Sequence, residues 1–128
     1  MTADLLLDSS AWIELFNSGA LLKACQRELQ AAEKVIVPTT VLYEVYRKVA
    51  SLTSDDQGLS AVTVLTQHSI ADLSSEVALL AADLSLQYGL GMADSIVLAH
   101  AQHADARLVT LDNDFAAVPG VKVLRKGS

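Results

Sequence analysis

Apolar residues in this chain fall into short continuous runs separated by longer stretches at helical spacing. The runs Asp4 to Leu7, Val35-Ile36-Val37, Ser69-Ile70-Ala71, Arg107 to Leu111 and Val121 to Leu124 predict short strands. Continuous apolar runs of this length suit strands buried on both faces of a sheet. Between them, apolar positions recur at three- and four-residue intervals, with polar residues opposite. That spacing predicts helices over Ala11–Phe16, Leu21–Ala32, from Thr39 or Thr40 to Ala50, Leu59–Gln67, Ser74–Tyr88 and Met92–Gln102. Ser9 or Ser10 is placed as the cap of the first helix, with Glu14 in its first turn, and Asn17-Ser18-Gly19 as its end. The polar stretch Ser51 to Gly58 is expected as a surface loop. Gly89 and Gly91 break the fifth helix, Asp114-Phe115 opens a short turn or helix, and Pro119-Gly120 marks a tight turn. Strands alternating with helices predict one α/β domain over 1–128, with a mainly parallel sheet covered on both faces.

A length of 128 residues and a hydrophobic fraction of 52% allow one well-packed core. No apolar stretch approaches the roughly 20 residues that span a bilayer. The N-terminal sequence has no basic segment followed by a long apolar one, so a cytoplasmic protein is expected. Cys25 has no partner for an internal disulfide and is expected as a small core residue. The net charge of -6 opposes simple electrostatic binding to nucleic acid, unless cations or a local basic patch offset it. Arg47-Lys48 and Lys122, Arg125 and Lys126 supply local positive charge, read first as solvated surface residues.

Against this background four acids stand out. Asp8 ends the first apolar run, and Asp112 follows Leu108-Val109-Thr110-Leu111. Glu44 lies inside Val41-Leu42-Tyr43-Glu44-Val45-Tyr46, and Asp94 near the start of Met92 to Ala99. Each has an ordinary explanation: Asp8 as a helix cap, Glu44 as a solvated residue, Asp94 as a dipole partner, Asp112 as a turn residue. Together, at strand ends and helix starts, they suggest a shared hard cation bound through oxygen, Mg²⁺ or Mn²⁺. Such a cation lowers the pKa of bound water and offsets charge developing on a phosphodiester.

Other chemistries lack their motifs. The chain has no GxxxxGK[ST] loop and no GxGxxG after a strand, and no Cys/His spacing suits zinc. His68, His100 and His103 are scattered and are expected at surface or core positions. Ser9 and Ser95 each follow an acid, with no base to make either a nucleophile.

The runs Leu7-Asp8-Ser9-Ser10-Ala11-Trp12-Ile13-Glu14, Tyr43-Glu44-Val45, Met92 to Ala99 and Leu108 to Phe115 resemble PIN domains. More narrowly, they resemble the VapC toxins of toxin–antitoxin pairs. The resemblance runs from end to end and in order. It implies a three-layer α/β/α sandwich and a Mg²⁺- or Mn²⁺-dependent endoribonuclease. Its first three acids carry over to Asp8, Glu44 and Asp94. The fourth falls within Thr110 to Phe115, with Asp112 the first choice and Asp114 the second, either completing or supporting the site. The family's small hydroxyl residue carries over to Ser9, to orient Asp8 or contact a phosphate. The resemblance also implies a homodimer, a tight complex with a cognate antitoxin as a heterotetramer or larger, and a cationic antitoxin side chain that blocks the acids. Two other readings remain open from the residues themselves. One is a metal-dependent phosphatase or DNA nuclease, though Asp8-Ser9-Ser10 lacks a phosphatase's second acid. The other is a non-catalytic binding module whose acids are caps and surface charge.

Overall fold

The computed structural model describes residues 3–127, so three positions of the expected 1–128 domain (1, 2 and 128) lie outside the described residues. Five strands form one sheet: β1 (Asp4–Leu7), β2 (Lys34–Pro38), β3 (Ser69–Ala71), β4 (Arg107–Thr110) and β5 (Lys122–Val123). Six helices connect them: α1 (Ser9–Asn17), α2 (Leu22–Ala31), α3 (Thr39–Leu52), α4 (Asp55–Leu65), α5 (Ser75–Tyr88) and α6 (Met92–His103). A short 3-10 turn covers Asn113–Phe115.

The strand order is β3-β2-β1-β4-β5, and every pair is parallel. The chain moves outward from β1 through β2 to β3, then crosses back to lay β4 on the other side of β1. Crossovers between parallel strands are right-handed as a rule, which assigns α1 to α4 to one face of the sheet and α5 and α6 to the other. The contacts agree: α1 packs on α2 and α3, α3 on α4, and α5 along α6. Leu5, Leu6 and Leu7 of β1 are fully buried between these layers, with Ile36, Val37, Leu108 and Val109 beside them. Among the described residues no helix is long and apolar enough to cross a membrane.

Three local expectations change. The first helix is capped by Asp8, not by Ser9 or Ser10: the Asp8 carboxylate accepts from the Ala11 N–H, and Ser9 already lies in the helix. The second helix pair leaves almost no loop between its members. α3 continues to Leu52, Ser54 caps α4 through the Gln57 N–H, and Asp55 and Asp56 occupy its first turn, where the helix dipole favours them. Gly58 sits inside α4 because α3 lies against it; a Cβ there would approach the Tyr46 ring to 3.0 Å. Finally, Glu14 is not a first-turn residue but folds over the end of α1, where it accepts from the Leu21 N–H at 2.7 Å. Cys25 and His100 are buried as core residues.

Candidate active site

The reversal of strand order makes the β1–β4 junction a switch point, where parallel α/β sheets open a crevice at the strands' carboxyl ends. Asp8 and Asp112 follow those two strands. The register pairs Leu7 with Val109, so one step further Asp8 lies beside Thr110.

Asp8 is 5% exposed and fully furnished with donors. Its Oδ1 accepts from the Ser10 hydroxyl at 2.6 Å and from the Ala11 N–H at 3.1 Å, and its Oδ2 accepts from the Thr110 hydroxyl. Ser10 also accepts from the Leu111 N–H at 3.0 Å, and Thr110 Oγ1 accepts from the Asp112 N–H at 2.9 Å. The two strand ends are therefore laced together by hydroxyls. Burial raises the Asp8 carboxyl above its ordinary value; the Ser10, Thr110 and Ala11 hydrogen bonds oppose this, and the charge of Asp112 adds to it.

Glu44 and Asp94 arrive from opposite layers, on α3 and α6, which touch each other. Burial raises Glu44, a hydrogen bond from Ser9 lowers it, and the charge of Asp8 raises it. Ser9 thus serves Glu44, while Ser10 holds Asp8. Asp94 lies in the first turn of α6, whose N-cap, Gly91, offers no side-chain hydrogen bond. Burial, then the charges of Asp112, Asp8, Asp114 and Glu44, push Asp94 up to about 6. One carboxyl therefore registers all four of the others.

Asp112 turns its Oδ1 back to the Asp114 N–H at 2.8 Å, which closes the 3-10 turn and swings Asp114 to the same side. Asp94, Asp112 and Asp114 each offer an oxygen within 4.8 Å of the others. Asp8 and Glu44 border this trio through charge. Asp112 and Asp114 are not alternatives in space, because both belong to it. The donor set is all carboxylate, which suits a hard divalent cation, and no cationic side chain pairs with the trio among the described residues.

Thr110 and Ser10 carry no expectation from the sequence beyond a possible cap at Ser10. A signal for Thr110 was present: a hydroxyl ending a buried apolar strand needs a polar partner, and the adjacent strand ends in an acid.

A PIN domain family model matches residues 5–121, nearly the whole chain. This chain belongs to the PIN domain family. A search of curated proteins gave no match. Among solved structures, a toxin–antitoxin complex from Klebsiella pneumoniae is similar at 28% identity and TM-score 0.78, over 91% of this chain and 94% of that one. The VapC20 toxin of Mycobacterium tuberculosis, described as cleaving the sarcin-ricin loop, is 17% identical with TM-score 0.77, over 93% of this chain and 98% of its own. VapBC2 of Rickettsia felis, bound to a DNA fragment from its promoter, is 20% identical with TM-score 0.73, covering 94% and 97%. The PIN fold of this chain is thus the fold found in VapC structures.

Proposed function

We propose that this PIN domain is a divalent-cation-dependent endoribonuclease, the toxin of a toxin–antitoxin pair. The observation that carries the reading is the convergence of Asp8, Glu44, Asp94 and Asp112, joined by Asp114, on the β1–β4 switch point. Burial first, and then the charges of the other four acids, hold Asp94 at about 6, which marks how closely they converge. Asp94, Asp112 and Asp114 would hold Mg²⁺ or Mn²⁺, with Asp8 and Glu44 contributing at the rim. When bound, the cation supplies Lewis-acid stabilisation of the phosphodiester and a more acidic water. The protein's own contribution is positional. Ser10, Thr110 and the Ala11 N–H fix both oxygens of Asp8, and Ser9 orients Glu44, so neither carboxylate must reorganise during reaction.

The toxin role draws on the similarity to the Klebsiella complex and to VapC20. A cognate antitoxin placing a cationic side chain against the trio would satisfy charges that the chain leaves unpaired. Exposed Tyr43, Leu73 and Met92 border a groove of about 410 Å³ beside Glu44, an apolar surface of the kind that a homodimer or antitoxin contact covers.

The decisive experiment incubates purified protein with a structured RNA, with Mg²⁺ or Mn²⁺ and with chelator. Cleavage that needs the cation and disappears in Asp94→Asn supports the reading. Equal cleavage by wild type and variant sinks it, and cleavage of duplex DNA or phosphomonoesters instead moves the chain to a different hydrolase class.

A further inference from the structure

The molecule also carries a basic feature. Four of its nine Lys and Arg residues, Lys23, Arg27, Lys122 and Arg125, line one cleft of about 480 Å³ between α2 and the end of β5. The single acid among the lining residues, Glu28, is already engaged: it accepts from Arg107 at 2.9 Å and from Lys122 at 2.7 Å. Burial raises Glu28, but the Lys122 and Arg107 contacts outweigh it and hold the carboxyl below its ordinary value. The cleft is therefore net positive on a chain of net charge -6. Lys23 and Arg27 make no ion pair among the described residues. Four positions apart on α2, they share one face about 6 Å apart along the helix axis.

One end of the cleft reaches the segment that carries Asp112 and Asp114. Val123 pairs with Thr110, and the Leu124 N–H donates to the Thr110 carbonyl at 2.8 Å, so the chain leaves β5 at the carboxyl end of the sheet. There the Arg125 Nε donates to Asn113 Oδ1 at 3.1 Å, and Asn113 stands between Asp112 and Asp114. One arginine thus joins the basic cleft to the acidic trio.

We propose that this cleft binds the phosphates of the RNA strand beside the cleavage point, with Lys23, Arg27 and Arg125 as the contacts. The proposal rests on the ribonuclease reading and extends it to substrate placement. An acidic protein repels a polyanion at long range, and a local positive channel beside the site reverses that where the strand must lie. Phosphate contacts of this kind fix register and carry no sequence information. An acidic peptide would match the sign of the cleft, but not its continuity with a centre for phosphodiesters.

The test is binding of a labelled single-stranded RNA oligonucleotide to the full chain, in chelator so that no cleavage intervenes, across a salt series. Lys23→Gln/Arg27→Gln is expected to weaken binding about tenfold at low salt and to flatten the log–log salt slope by about 1.4, two single-strand phosphates' worth. Arg125→Gln is expected to flatten it by about 0.7. All three side chains are exposed, so the melting temperature should not move. Lys34→Gln, at the opposite end of the sheet, controls for loss of charge. Unchanged slopes in the cleft variants, an equal effect of Lys34→Gln, no RNA binding by the wild type, or polyglutamate competing better than RNA would each overturn the proposal. Binding that follows the cleft in a protein that cleaves nothing would leave the cleft standing and remove the ribonuclease reading. Metal-dependent cleavage with unchanged slopes would do the reverse.

Discussion

Asp8 and the Asp94–Asp112–Asp114 trio are acidic neighbours held in opposite ways. Asp8 is buried, and both of its oxygens are met by donors from its own chain. The trio is more open, with three oxygens within 4.8 Å and, among the described residues, no ion pair to a basic side chain. Asp8 is part of the fold as well as of the site, since the same carboxylate caps α1. The trio adds repulsion to the fold and gains from whatever neutralises it.

The sharpest way to separate the two is by substitution. Asp94→Asn is expected to lower RNA cleavage by about a thousandfold, some 4 kcal/mol of transition-state stabilisation, while the cation-free protein melts no lower than wild type. A loss of folding as large as the loss of activity would erase the contrast. Asp8→Ala should fail in both respects: cleavage is lost, and unfolding in urea should show about 2 kcal/mol less stability, from the missing cap and two stranded hydroxyls. An unchanged urea midpoint would show that Asp8 is not structural.

Acidity offers a third test. Asp94 titrates near 6 when folded, against an ordinary 3.8, so between these values the folded chain holds a proton that the unfolded chain has lost. Stability from this group is fully present below about 3.8 and is lost as pH rises through 6; the raised Asp8 and Glu44 act in the same direction. In chelator, the melting temperature should fall across this window. Added Mn²⁺ should restore it near neutral pH and do little at pH 5, where protons compete for the carboxylates. The lowered Glu28 and His100 act the other way, so the comparison is with Asp94→Asn: a wild-type profile falling no more steeply than the variant's would contradict the raised Asp94. The smallest effect is expected for Thr110→Val, about 1 kcal/mol, with the Asp8 carboxyl rising further for want of a donor. Carboxyl NMR titration of the cation-free protein would show that rise or its absence.

The alternation of strand and helix, and acids just past strand ends or on the apolar helices, were legible because backbone burial leaves a direct trace in apolar periodicity. What the sequence did not disclose was who holds whom. Ser10 lies in the first turn of α1 and Thr110 at the end of β4, and their meeting depends on a register that periodicity does not determine. The polar stretch around Asp55, Asp56 and Gly58 read as a loop for a related reason. Acids in a first turn and a glycine under a neighbouring helix look like a turn until the packing of α3 on α4 is known. Asp114 beside Asp112 followed from a side chain returning to its own backbone, a detail of turn geometry. Lys23 and Arg27 lie far along the chain from Lys122 and Arg125, and only the latter two stood out in the sequence, as surface charge.

The lacing of β1 to β4 also has a temporal side. Asp8 and Thr110 stand 102 positions apart, and β4 is the strand that completes the centre of the sheet. A chain emerging during synthesis carries Asp8, Glu44 and Asp94 well before it carries β4. Until β4 is made and docks beside β1, Asp8 lacks its Thr110 donor and Asp112 does not exist. On the ribonuclease reading, a nascent or prematurely released fragment is therefore expected not to cut RNA, because its centre is completed only after that strand has folded into place.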